Sequence, residues 1–141
     1  MTREEKELLL KDLSARLPYG VKVNFRGKIE KLCEVHIYPQ AKTCIGESGI
    51  LYDIELVKPY LRPMSSMTEE EKKEISSGSK FVFEAALNGV TGYCPKTMAY
   101  STFNVDYCLS HHFDYRGLIE KGLAIAVTEE NNPYKTKDKD E

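Results

Sequence analysis

Two Cys-x-x-His pairs carry the residue types best suited to chemistry in this chain: Cys33 with His36, and Cys108 with His111. Together they hold the donor set of a tetrahedral Cys2His2 zinc site. Positions 108 and 111 share a face on a helix. On a strand, 33 and 36 point to opposite faces, so that pair chelates only if a bulge intervenes. The simpler expectation is that Cys33 and Cys108 are small apolar residues, and no metal is assigned. A Cys-His nucleophilic pair has no local support, since no cysteine sits in a Gly-rich elbow or at an evident helix start.

The densest polar and aromatic run is His111-His112-Phe113-Asp114-Tyr115-Arg116. In a catalytic reading, a histidine is the base and Asp114 orients it. Capping explains the same residues with fewer assumptions. Asp114 then starts a helix, and His111, His112 and Arg116 decorate the junction. A second surface candidate is the basic run Lys22, Arg26, Lys28 and Lys31, with Lys58 and Arg62 further on. Such a hairpin can bind nucleic acid. Glu30, Glu34, Asp53 and Glu55 interleave with it, and the formal net charge is -2, so a solvated outer face is preferred. The chain has no phosphate-cradling glycine motif and no singled-out carboxylate pair. No catalytic or cofactor residue is therefore assigned, no cofactor is expected, and an enzyme is not the favoured reading.

The elements that must position these groups follow from periodicity. Thr2 and Glu5 form a capping-box pattern, and Leu9, Leu10, Leu13 and Leu17 recur at helical spacing. This predicts a helix over 3–16, ended by Pro18 and Gly20. Alternation predicts strands over 21–25 and 29–38, joined by a turn at Arg26-Gly27-Lys28. Residues 40–49 read as a loop. Residues 50–57 read as a third strand, with Ile50, Tyr52, Ile54 and Leu56 on one core-facing side. The two prolines of 58–66 suggest that the chain then leaves the sheet. Thr68 and Glu71 repeat the capping box before a short polar helix over about 69–75. Residues 80–87 fit strand or helix equally, and 88–103 look irregular. Residues 104–112 and 115–122 read as two helices, with Asp114 and Gly122 as caps, and 123–127 as a last short strand. The fold class is α+β: an N-terminal helix, a small antiparallel β-sheet, and a C-terminal helical pair with a final short strand.

The 141 residues suit one domain able to bury a core without disulfide or metal. Residues 1–127 form it, and 128–141 read as a disordered polar tail. Four cysteines, widely spaced, suggest reduced thiols. MTREEKELLL lacks the apolar core of a secretory signal, and no apolar run approaches a membrane span. A cytoplasmic location and no membrane partner are expected.

Three stretches are distinctive as a set: LPYGVKV (17–23), VKPYLRPMSSMTEEEK (57–72) and HHFDYRGLIEKGLAI (111–125). The combination resembles a family of small uncharacterised proteins from gut Bacteroides genomes and their phages or mobile elements. It covers about a third of the chain by strict motif. The resemblance implies a bacterial cytoplasm in a phage or prophage setting, and it carries over no catalytic residue. The expected function is that of a non-enzymatic interaction or accessory protein with a protein partner. The alternative is a nucleic-acid-binding accessory protein using the 22–31 hairpin.

Overall fold

A computed structural model describes residues 1–74 and 102–135. The expectations for 80–101, and for the tail beyond 135, lie outside the described residues. Helix α1 (Arg3–Arg16) starts where the capping box places it: Thr2 Oγ1 accepts the Glu5 amide at 3.0 Å, and Glu5 Oε1 accepts the Thr2 amide at 2.9 Å. Leu9 and Leu13 on its inner face are fully buried. A 3-10 turn at Leu17–Tyr19 and a left-handed Gly20 (φ 71°) end it.

Among the described residues, six strands form one sheet: β1 (Lys22–Phe25), β2 (Lys28–Ile37), β3 (Lys42–Gly46), β4 (Leu51–Asp53), β5 (Val57–Leu61) and β6 (Ile125–Ala126). Their order is β4-β3-β2-β1-β5-β6. All neighbours are antiparallel except β5 and β6, so the sheet is mixed and larger than the small antiparallel one expected. The β1–β2 hairpin turns through Arg26 (φ 53°) and Gly27 (φ 96°), both left-handed as a two-residue primed turn requires.

The register sorts the side chains. Val23, Phe25, Glu30, Leu32, Cys44, Val57 and Leu61 lie on the inner face and are buried, with Leu9 and Leu13 of α1 in the same core. Lys22, Asn24, Ile29, Lys31 and Lys58 lie on the outer face.

Three expectations over residues 40–66 need correction. Residues 40–49 contain strand β3. Gly46 ends that strand because it leaves room: a Cβ there would collide with Glu30 Oε1 and come within 2.6 Å of Phe25 Cε2. The strand over 50–57 breaks into β4, a 3-10 turn at Ile54–Leu56, and the first residue of β5. Ile54 is buried and Tyr52 stacks on Phe25 at 4.3 Å, but Ile50 and Leu56 are exposed. The proline segment leaves the sheet later than expected, at a 3-10 turn over Met64–Ser66. Val57–Leu61 is β5, with Pro59 opposite Val23.

The C-terminal helical pair is a single helix. After α2, helical over 69–74, comes α3 (Thr102–Ser110). Residues 111–122 form successive turns. Gly117 and Gly122 both take φ 76°, which a continuing helix cannot use. Residues 128–135, expected as part of the polar tail, fold back. Asn131 Oδ1 accepts the Thr128 amide at 2.7 Å, and Tyr134 docks on the sheet. Among the described residues, no helix is long and apolar enough to cross a membrane.

Candidate functional site

Two places concentrate polar side chains. One is internal. Asp12 and Arg16 sit one turn apart in α1, in register with Leu9 and Leu13, so the fold buries both completely. Arg16 Nε donates to Asp12 Oδ2 at 2.7 Å, and its Nη2 donates to the Phe113 carbonyl at 2.6 Å. Arg116 Nε lies 3.2 Å from Asp12 Oδ1, a charge contact outside hydrogen-bond geometry. Arg16 Nη1 and His112 Nδ1 are buried with no hydrogen-bond partner among the described residues.

His112 is left-handed (φ 66°), and its ring stacks on Tyr134 at 3.8 Å. Burial, helped by the charges of Arg16, His111 and Arg62, lowers its pKa to about 4. It is therefore neutral near pH 7. The Tyr134 hydroxyl accepts the Lys22 amide at 3.0 Å and donates to the Tyr60 carbonyl at 2.6 Å. A single phenol thus joins β1 to β5 just past the end of their ladder.

The expected polar cluster is divided among separate tasks. His111 Nδ1 lies 3.0 Å from the Tyr107 carbonyl, and its ring stacks on Tyr107 at 4.0 Å. The Asp114 carboxylate accepts the Leu118 and Ile119 amides at 2.8 and 2.9 Å. It caps a turn and orients neither histidine. Phe113 is fully buried beneath the Arg62 guanidinium, which lies 4.1 Å from the ring centroid. Arg62 also makes a bidentate pair with Glu71 at 2.7 and 2.8 Å, and so does not extend the basic surface.

The Cys-x-x-His pairs do not assemble. A bulge does interrupt β2 between Leu32 and Glu34, at Cys33. The His36 nitrogens nevertheless face Glu34 Oε1 at 2.7 Å and Tyr38 Oη at 3.1 Å. Cys108 is buried beside Met67, Tyr107 and Phe113. Burial pushes its thiol up to about 11, and that of Cys44 to about 12, opposite to the shift that activates a nucleophile. Among the described residues, no group of three or more His, Cys, Asp or Glu is placed to hold a metal.

The second place is the outer face of the hairpin. Lys22 lies directly opposite Lys31, and Lys58 lies opposite Asn24 on the same face. Lys28 points to the other side, with its Nζ 3.4 Å from Glu30 Oε2. Arg26 sits exposed at the turn. Glu30 is buried on the inner face, where its carboxylate accepts the Ser48 amide at 2.9 Å and the Ser48 hydroxyl at 2.8 Å. The Ser48 amide is the main cause holding that carboxyl below its usual range. Glu55 pairs with Lys6 of α1, beside a cleft of about 310 Å³ lined by Arg3, Glu7, Lys42 and Asp53. Of the acids that interleave with the lysines in sequence, Glu30 turns inward with Lys28 and Glu55 pairs with Lys6.

Sequence reasoning missed Asp12, Arg16 and Tyr134. Asp12 and Arg16 occupy the same i, i+3, i+4, i+7 stripe as Leu9 and Leu13, and that pattern was a readable signal. The fold and its surfaces define a mixed-sheet α+β protein with a closed internal ion cluster and a partly apolar, partly basic sheet face. Comparison with protein-family models, with curated proteins and with solved structures finds no match for the chain.

Proposed function

We propose that this chain is a non-enzymatic interaction protein that binds a protein partner through the outer face of its sheet. The observation that carries the proposal is exposed apolar surface on that face. Ile29 is 50% exposed and Leu51 58% exposed, and both sit on regular strands where alternation directs them away from the core. The internal polar groups, by contrast, are spent on structure. Arg16 and Asp12 hold α1 against Phe113, and Asp114 caps a turn. The resemblance of the three sequence stretches supports a bacterial cytoplasm and a phage or mobile-element setting.

A photo-crosslinking residue at Leu51, with one at Ser14 on the exposed side of α1 as control, tests the proposal in cells of the native host. Adducts formed at Leu51 but not at Ser14, and surviving nuclease, are expected. Equal adducts at both positions, or none at Leu51, would overturn it. A second reading, a nucleic-acid-binding accessory protein, draws on the juxtaposed Lys22 and Lys31. Its mark is adducts that disappear on nuclease treatment.

A further inference from the structure

Lys22 and Lys31 face each other across the β1–β2 ladder, and like charges directly opposite are unfavourable. Lys58 stands on the same face one strand over, and Arg26 at the adjacent turn. The neighbouring acids are otherwise engaged. Glu30 is buried on the inner face with Ser48, Glu34 faces His36, and Glu55 pairs with Lys6. Glu47 also lies at this corner, and its Oε1 accepts the Lys31 backbone amide at 3.1 Å. Among the described residues, Lys22, Lys31, Lys58 and Arg26 outnumber Glu47 and Glu34 on this side of the sheet, on a chain whose net charge is -2. In the middle of the corner Ile29, opposite Asn24, is half exposed.

We infer that the corner formed by Lys22, Lys31, Lys58 and Ile29 takes an acidic segment of a partner protein that carries an apolar anchor residue. The inference rests on the reading of the outer face as an interaction surface and names the partner's chemistry. Charge complementarity selects the acid, and Ile29 selects the apolar anchor. A nucleic-acid strand fits less well. Single-strand binders stack bases on exposed rings, whereas Tyr60, the ring on the ladder itself, is 6% exposed with its hydroxyl 3.1 Å from Asn24 Nδ2, and the exposed Tyr19 precedes the ladder as a single ring. Recognition runs through side chains, because β1 and β2 are interior strands and the Lys22 amide is already taken by Tyr134.

Fluorescence anisotropy of the full chain tests this with three probes: a peptide of alternating Glu and Leu, the same peptide with Ser for Leu, and single-stranded oligothymidine. Saturable binding of the Glu-Leu peptide is expected, weakened by salt and reduced about tenfold or more in Lys22→Glu with Lys31→Glu. Ile29→Ser should weaken the Glu-Leu peptide but leave the Glu-Ser peptide unchanged. Circular dichroism melts of each variant show that the fold is retained, and Lys58→Glu provides a reversal outside the hairpin. Oligothymidine binding as tightly as the Glu-Leu peptide, and indifferent to Ile29→Ser, would overturn the inference in favour of nucleic acid. Absence of peptide binding, or binding unmoved by the charge reversals, would overturn it outright. Crosslinks that persist at Leu51 in that case would leave the interaction face standing and remove only this corner.

Discussion

Arg16 illustrates how a charged residue is held inside a small protein. Its side chain is fully buried, and its cost of desolvation is offset by Asp12 on one side and the Phe113 carbonyl on the other. Burying an ion pair of this kind gains little net stability, but removing Arg16 leaves the fully buried Asp12 with only the partly exposed Arg116 to offset its charge. Arg16→Ala should therefore destabilise by about 3–5 kcal/mol in urea unfolding. Asp12→Leu with Arg16→Met should cost less than Arg16→Ala alone, because both fully buried charges go together and Arg116, which also faces Asp12, is partly exposed. A double variant as unstable as the single one would mean that the bond to Phe113, and not charge compensation, is what Arg16 supplies.

Elements were legible where a single local rule set them. Helix α1 follows from its capping box and leucine spacing, and β1 from strict alternation. Strand β3 was not legible. Lys42-Thr43-Cys44-Ile45-Gly46 has one large apolar side chain, and Gly46 reads as a breaker when its task is to admit Glu30 and Phe25. Strand β5 was hidden by Pro59, which the ladder tolerates opposite Val23. The candidate site was legible only as a list of residues. Register, which sequence does not show, separated Lys28 from Lys22 and Lys31 and put Lys58, noted further along the chain, on their face. Tyr134 was hidden for a related reason, since its anchor points are two backbone groups with no signature of their own. Tyr134→Phe keeps the ring on His112 and removes only the hydroxyl. It should destabilise by about 1–3 kcal/mol, the cost of leaving buried backbone groups without a partner. A thermal melt unchanged by Tyr134→Phe would show that the ring, and not the bridge, docks this segment.

At the scale of the molecule, the C-terminal segment closes what the N-terminal half begins. Phe113 receives Arg16 from α1 and bridges to Arg62 after β5, β6 adds a parallel strand to β5, and Tyr134 ties β5 to β1. These links converge on β1 and β5, which also contribute Val23, Phe25, Val57 and Leu61 to the main core. Strand β4, at the opposite edge, is paired on one side only among the described residues, and its Leu51 and Asp53 are exposed. Stability should therefore fall along the sheet from β1 toward β4, because local opening costs least where few buried contacts must be broken. In native-state hydrogen exchange, the amides of β1 and β5 should open only with global unfolding, while those of β4 exchange through a smaller, denaturant-insensitive opening. Tyr134→Phe should then lower protection in β1 and leave β4 unchanged. If β4 is as protected as β1, the sheet opens as a single unit and the closure by the C-terminal segment has no local effect.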